Sequence, residues 1–353
     1  MSDDTSINRR KFLGAGLAGA GLLSAGGLAG WLASRRGAPS VPAPERPPLD
    51  ERFTYQIGAY LKTDPALLRY DESGRIPTGC QKPKCIEMTA DDTLLAAGDR
   101  AVKILTTDGT LRATIALPAL PHAVTRNAAG QVVVAFQDHL AIYRDDGMPA
   151  QVGPTLGEGC HLTSVVAAGD ALYVADAGRR EIVRCDAAGQ PLSRFGKIGA
   201  GDDNPGFMIP SAYFDVTLGP DGLLWVNNMG RHRVEAYTLD GHFELGWGEP
   251  GMAIENFCGC CNPVYVTRLP DGRFVTSEKG LNRIKLYDAR GAFVGVVAGP
   301  DHLVKDLDLA RRACADCHIG FGFDVACDAA GRIYALDPAT RDIRIFTPKA
   351  VAA

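Results

Sequence analysis

Short turn signals recur along the chain at two alternating positions, and this recurrence constrains the fold more than any other feature. The first series is Asp91-Asp92, Ala129-Gly130, Gly169-Asp170, Asp221-Gly222, Asp271-Gly272 and Ala330-Gly331. The second is Asp108-Gly109, Asp146-Gly147, Ala188-Gly189, Asp240-Gly241 and Arg290-Gly291. Counted from residues 92, 130, 169, 222 and 272, partner turns follow after 17, 17, 20, 19 and 19 residues. Short apolar runs flank them, such as Val132-Val-Val-Ala-Phe136, Leu223-Leu-Trp-Val226 and Ile333-Tyr-Ala-Leu336. Runs of this length, rich in β-branched and aromatic residues and bounded by Gly and Asp, are strands. Six four-stranded repeats of roughly 40–50 residues make an all-β chain, a six-bladed β-propeller. The 41 glycines and 22 prolines suit a fold with this many turns.

The sixth repeat ends at Ile343-Arg-Ile-Phe346 after three strands. Phe53-Thr-Tyr-Gln-Ile-Gly58 resembles the fourth strands Arg194–Gly199 and Phe243–Gly248. Residues 52–58 are therefore expected to complete the last blade as an N-terminal closing strand, which protects the sheet edges and locks the ring.

Pro220–Gly241 (PDGLLWVNNMGRHRVEAYTLDG) and Ala168–Gly189 (AGDALYVADAGRREIVRCDAAG) resemble NHL repeats. Phe257-Cys-Gly-Cys-Cys-Asn-Pro263, followed by Phe274–Leu281, is similar to a cysteine-motif subgroup of bacterial NHL-type propellers. The resemblance covers about residues 50–348 and implies the fold; it implies no particular activity.

The N-terminus supplies a compartment. Ser6-Ile-Asn-Arg9-Arg10-Lys11-Phe12-Leu13 resembles the twin-arginine export motif, and a Gly/Ala-rich segment and a Pro-rich stretch follow. The chain thus reads as a twin-arginine signal over 1–40, a Pro-rich linker over 41–50, the propeller over 51–348 and a tail over 349–353. The expected location is periplasmic, with membrane attachment only through an uncleaved leader. A net charge of −4 gives no basic footprint for nucleic acid.

The repeat register also locates chemistry. The Gly turns join first to second and third to fourth strands, so they share one face. The blade-to-blade connections lie on the other face, with insertions at about 198–212, 249–263 and 299–322. Cys80, Cys85, Cys160, Cys258, Cys260, Cys261, Cys314 and Cys317 fall in or at the end of such connections, and His122, His161 and His318 stand beside them. Loops over a rigid scaffold are where function is expected. Cys185 and Cys327 fall toward the other face and read as small structural hydrophobes.

Four readings follow. Cys258, Cys260, Cys261, Cys314 and Cys317 suit an iron–sulfur cluster or another thiolate-bound metal. Such a centre would serve electron transfer or cofactor handling, partnered by a membrane-bound redox complex or another periplasmic protein. Cys314-Ala-Asp-Cys317-His318 also matches the CxxCH attachment pattern of haem c, with His318 as axial ligand. His122 and His161 could hold a channel metal in a lyase or hydrolase. Finally, disulfides, among them Cys80–Cys85, could staple a binding platform that carries no cofactor.

Overall fold

The computed structural model describes residues 57–197, 205–306 and 321–350. Within them, 24 strands form six four-stranded sheets in the order the repeats dictate. The six innermost strands are Pro83–Met88, Ala123–Arg126, Leu162–Ala168, Val216–Leu218, Tyr265–Arg268 and Asp324–Cys327. Each contacts the next around a central channel, and the sixth returns to the first. The molecule is a closed six-bladed β-propeller.

Burial follows the blade geometry. The second and third strands of the blades are mostly buried, Val132–Ala135 and Leu140–Tyr143 along their whole length, because neighbouring blades cover both faces. Most outermost strands face solvent, as Pro149–Val152 does along its whole length, whereas Phe293–Ala298 of blade five is largely covered. Apolar clusters fill the spaces between blades, for example Val132, Val134 and Tyr143 against Leu95, Val102 and Ile115.

The closing strand differs from the sequence expectation. The last blade is completed by Tyr70–Pro77, which pairs antiparallel with Asp342–Pro348 from Tyr70↔Pro348 to Pro77↔Asp342. Residues 57–60 form a single 3-10 turn, and residues 52–56 of the expected strand lie outside the described residues, as do the leader and the linker. The physical reason is visible in the strand itself. Tyr70 and Ile76 are buried, while Asp71, Glu72 and Arg75 face outward or pair with Arg344 and Asp342. A bulge between Glu72 and Gly74 breaks the alternation that would have advertised the strand in the sequence.

Ile76 packs with Ile86, Leu94 and Ile343. Ile76→Ala is expected to cost about 2–5 kcal/mol of unfolding free energy in urea. A loss below about 0.5 kcal/mol, less than the smallest core truncations cost, would show that another segment closes the ring.

Candidate active site at the channel mouth

The site is built from the residues at which each innermost strand begins. Lys84, His122 and His161 each stand eight residues before Asp92, Gly130 and Gly169 of the first turn series, so they occupy one register position in blades one to three. Asp215, Tyr265 and Asp324 each stand seven residues before Gly222, Gly272 and Gly331, one step further into blades four to six. Together they surround the channel mouth. A cavity of about 460 Å³ opens there, lined by Lys84, His122, His161, Tyr213, Tyr265, Phe321 and Asp324 among others. This volume lies in the range of small-molecule sites. Below it the channel narrows between Cys85, Glu87, Thr163, Ser164, Asp215 and Thr267.

The two histidines meet, with ring centroids 5.0 Å apart. Their hydrogen bonds give them opposite tautomers. His122 Nδ1 lies 2.9 Å from the Leu162 carbonyl oxygen, so it carries the proton and leaves Nε2 with a lone pair. Gln137 Nε2 donates to the Cys160 carbonyl at 2.8 Å, which fixes the carboxamide orientation. The same nitrogen lies 3.0 Å from His161 Nδ1, so that nitrogen accepts and the proton sits on Nε2. Burial holds the His122 pKa below its ordinary value against the hydrogen bond to the Leu162 carbonyl, and the Lys84 charge pushes the same way as burial. His122 therefore offers a bare Nε2 as a base and His161 an Nε2–H as a hydrogen-bond donor.

The acidic groups beneath them serve the scaffold as well. Asp215 Oδ2 accepts from the Val266 N–H at 2.8 Å, joining blade four to blade five. Asp324 Oδ2 accepts from the Ile86 N–H at 2.8 Å, joining blade six to blade one. Burial pushes Asp215 up to about 6 against these hydrogen bonds. Burial and the neighbouring Asp215 raise Asp324 well above the usual carboxylate range, and burial with both aspartates does the same to Glu87. These groups stand in the channel wall, enclosed by protein yet reached by channel water. Tyr213 and Tyr265 meet edge to face at 5.7 Å, and burial raises both phenols.

The cysteines occupy separate environments. Cys85 lines the channel under His122, and burial followed by Asp324 and Glu87 holds its thiol well above the usual range. Cys160 neighbours His161 in the chain, so it points the opposite way, into the core with Leu156 and Leu162. Burial and a hydrogen bond to Asp176 push its thiol to about 12. Cys80 lies away from the cavity with Sγ 3.7 Å from the Thr78 carbonyl, and is not bonded to Cys85. Cys185 is buried, and Cys327 Sγ donates to the Arg268 carbonyl at 2.8 Å. Cys314, Cys317 and His318 lie outside the described residues. Among the described residues, no three or more His, Cys, Asp or Glu side chains are grouped to hold a metal ion.

Cys258, Cys260 and Cys261 sit on a loop tied to blade five by buried charge. Glu278 bonds Arg283 at 2.7 Å and Lys285 at 2.6 Å, all three buried, and its carboxylate accepts the Cys258 N–H at 2.9 Å. Burial alone would raise Glu278, but Arg283 and Lys285 outweigh it and hold the carboxyl below its usual value. Lys285 Nζ also donates to the Asn256 carbonyl at 2.8 Å, and Tyr287 Oη to the Glu255 carbonyl at 2.9 Å. Asn262 closes the loop by donating to the carbonyls of Cys258 (2.7 Å) and Lys279 (3.0 Å). Gly259, at φ +77°, makes the bend that a side chain would strain.

No protein-family model matches this chain, and no curated protein does. Solved structures with the same fold do. Virginiamycin B lyase from Staphylococcus aureus, solved as a catalytically inactive histidine-to-alanine variant with quinupristin, is 16% identical, with a TM-score of 0.52 over 78% of this chain and 83% of that one. A streptogramin B lyase is 11% identical, with a TM-score of 0.52 over 81% of this chain and 100% of that one. A gluconolactonase from Xanthomonas campestris is 15% identical, with a TM-score of 0.51 over 79% and 99%. At such identities the likeness is one of fold.

Removing the carboxylate that neutralises two buried cations tests the loop anchor. Glu278→Gln should lower unfolding free energy by about 3–5 kcal/mol in urea. A loss under about 1 kcal/mol, the size of an exposed ion pair, would mean that the triad does not hold the loop.

Proposed function

We propose that this protein is a hydrolase that opens a cyclic ester at the channel mouth, with His122 as general base and His161 as oxyanion donor. The observation that carries this reading is the opposite tautomers of two histidines 5.0 Å apart at one cavity. His122 Nε2 takes a proton from water as its oxygen attacks the ester carbonyl. His161 Nε2–H donates to the oxygen on which charge develops. The protonated His122 then returns its proton to the departing alkoxide. Losing the Nε2 proton would leave His161 an imidazolate, so its part is donation of a hydrogen bond rather than transfer of a proton.

The fold neighbours support the reading, because they include a lactonase and lyases that share this scaffold. The cavity wall suits a small ligand with an apolar face, received by Tyr213, Tyr265 and Phe321, and a negative group beside the exposed Lys84. The twin-arginine leader read at Arg9-Arg10 would deliver this activity outside the cytoplasm.

The test is hydrolysis of a panel of five- and six-membered lactones, followed by acid release. His122→Ala should lower kcat/KM about 10²–10⁴-fold. His161→Phe should lower it about 10²–10³-fold, chiefly in kcat. The acid limb of the pH profile should fall below the ordinary histidine value of about 6.5, because His122 must be neutral to act. Absence of turnover, or a His122→Ala enzyme as active as the parent, would overturn the proposal.

A further inference from the structure

The dense thiol loop has no part in the histidine chemistry, and its geometry points to a chemistry of its own. Cys260 Sγ and Cys261 Sγ lie 3.3 Å apart on adjacent residues. Cys260 is exposed, whereas Cys261 is buried against the core around Phe214 and Val264. The frame around them is held on several sides. Glu278 fixes the Cys258 amide, Asn262 bridges the Cys258 and Lys279 carbonyls, and the Lys279 N–H returns to Asn262 Oδ1 at 2.9 Å. His232 Nε2 donates to the Gly259 carbonyl at 2.7 Å. The two sulfurs are thus brought together on a loop anchored at Cys258, Gly259 and Asn262.

We propose that Cys260 and Cys261 form a thiol–disulfide exchange site that reacts with small exposed disulfides and closes reversibly into a vicinal disulfide. Cys260 is the attacking group because it alone of the pair is exposed. Its thiolate attacks one sulfur of R–S–S–R, forms a mixed disulfide and expels one thiolate, which takes up a proton as RSH. Cys261, deprotonated in turn, attacks Cys260 Sγ and expels the second thiolate. The protein dithiol gives two electrons and two protons, and R–S–S–R becomes two RSH. The eight-membered ring formed between adjacent residues is strained, so the closed form is readily reduced and closure is driven by an excess of R–S–S–R over RSH. A thiol such as glutathione, present with its disulfide, reopens it.

The site adjoins the cavity. Cys261 lies close enough to Tyr213 for its thiolate to raise the phenol, and Lys279 reaches the same ring at 4.9 Å while bonding Ser211 Oγ at 3.0 Å.

The experiment is equilibration of the whole purified protein in glutathione buffers of graded ratio, followed by acid quench, alkylation and peptide mass spectrometry. Oxidation should remove alkylation at Cys260 and Cys261 together, within one peptide and without glutathione attached. Cys261→Ser should instead trap a glutathione adduct at Cys260, and Cys260→Ser should give none. The parent behaviour should persist in Cys314→Ser/Cys317→Ser. Three results would overturn the proposal. These are retention of both thiols at every ratio, a disulfide joining Cys260 or Cys261 to another peptide, or abolition of the oxidation by the Cys314/Cys317 substitutions. Circular dichroism of each variant separates loss of exchange from loss of fold.

Discussion

The innermost strand of every blade has one edge in its own sheet and another facing the next blade at the axis. Backbone groups on that free edge need partners, because a buried amide left unpaired costs about 1–3 kcal/mol. The chain answers with side chains. Asp215 takes the Val266 amide, Asp324 the Ile86 amide, and Thr163 Oγ1 bonds the Phe214 carbonyl at 2.6 Å. The same logic places His122 on the Leu162 carbonyl. Closing the ring thus obliges the channel to be polar. That polarity brings ionisable groups into a narrow, poorly solvated space where their protonation states shift. The site's chemistry follows from how the scaffold is sealed.

This explains how much of the molecule can be read from the chain. The Gly and Asp turns are local signals, so the blades and their order follow directly from them. The closing strand Tyr70–Pro77 is hidden because its charge and its bulge mask the alternation, whereas Phe53–Gly58 mimics the outer strands. His122 and His161 are visible as chemistry-bearing residues at the starts of innermost strands. Their partners Lys84, Asp215, Tyr265 and Asp324 look ordinary in sequence. They emerge only when each blade is counted back from its first turn, since proximity at the axis joins residues far apart along the chain. Tautomers are beyond the sequence altogether, because they depend on Gln137 and the Leu162 carbonyl arriving from other segments.

The cysteine loop teaches a different lesson. Three thiols within Cys258–Cys261 suggest one shared role, yet the fold divides them: Cys258 packs in one apolar cluster, while Cys261, in another, keeps its sulfur 3.3 Å from that of the exposed Cys260. Much of the motif's remaining composition is scaffolding, with Phe257 in the core, Gly259 at a left-handed bend and Asn262 as a clamp. The Glu278–Arg283–Lys285 triad beneath it joins paired strands of blade five and also binds the loop, so the same buried charge holds the blade and positions the thiols.

The central claim is that His122 and His161 sit side by side in opposite tautomers. Nitrogen-15 NMR of histidine-labelled protein at pH 7.5, assigned with His122→Gln and His161→Gln, measures this directly. The account predicts a protonated Nδ1 and bare Nε2 at His122, with the reverse at His161. Like tautomers at the two positions, or a protonated His122 at that pH, would contradict it.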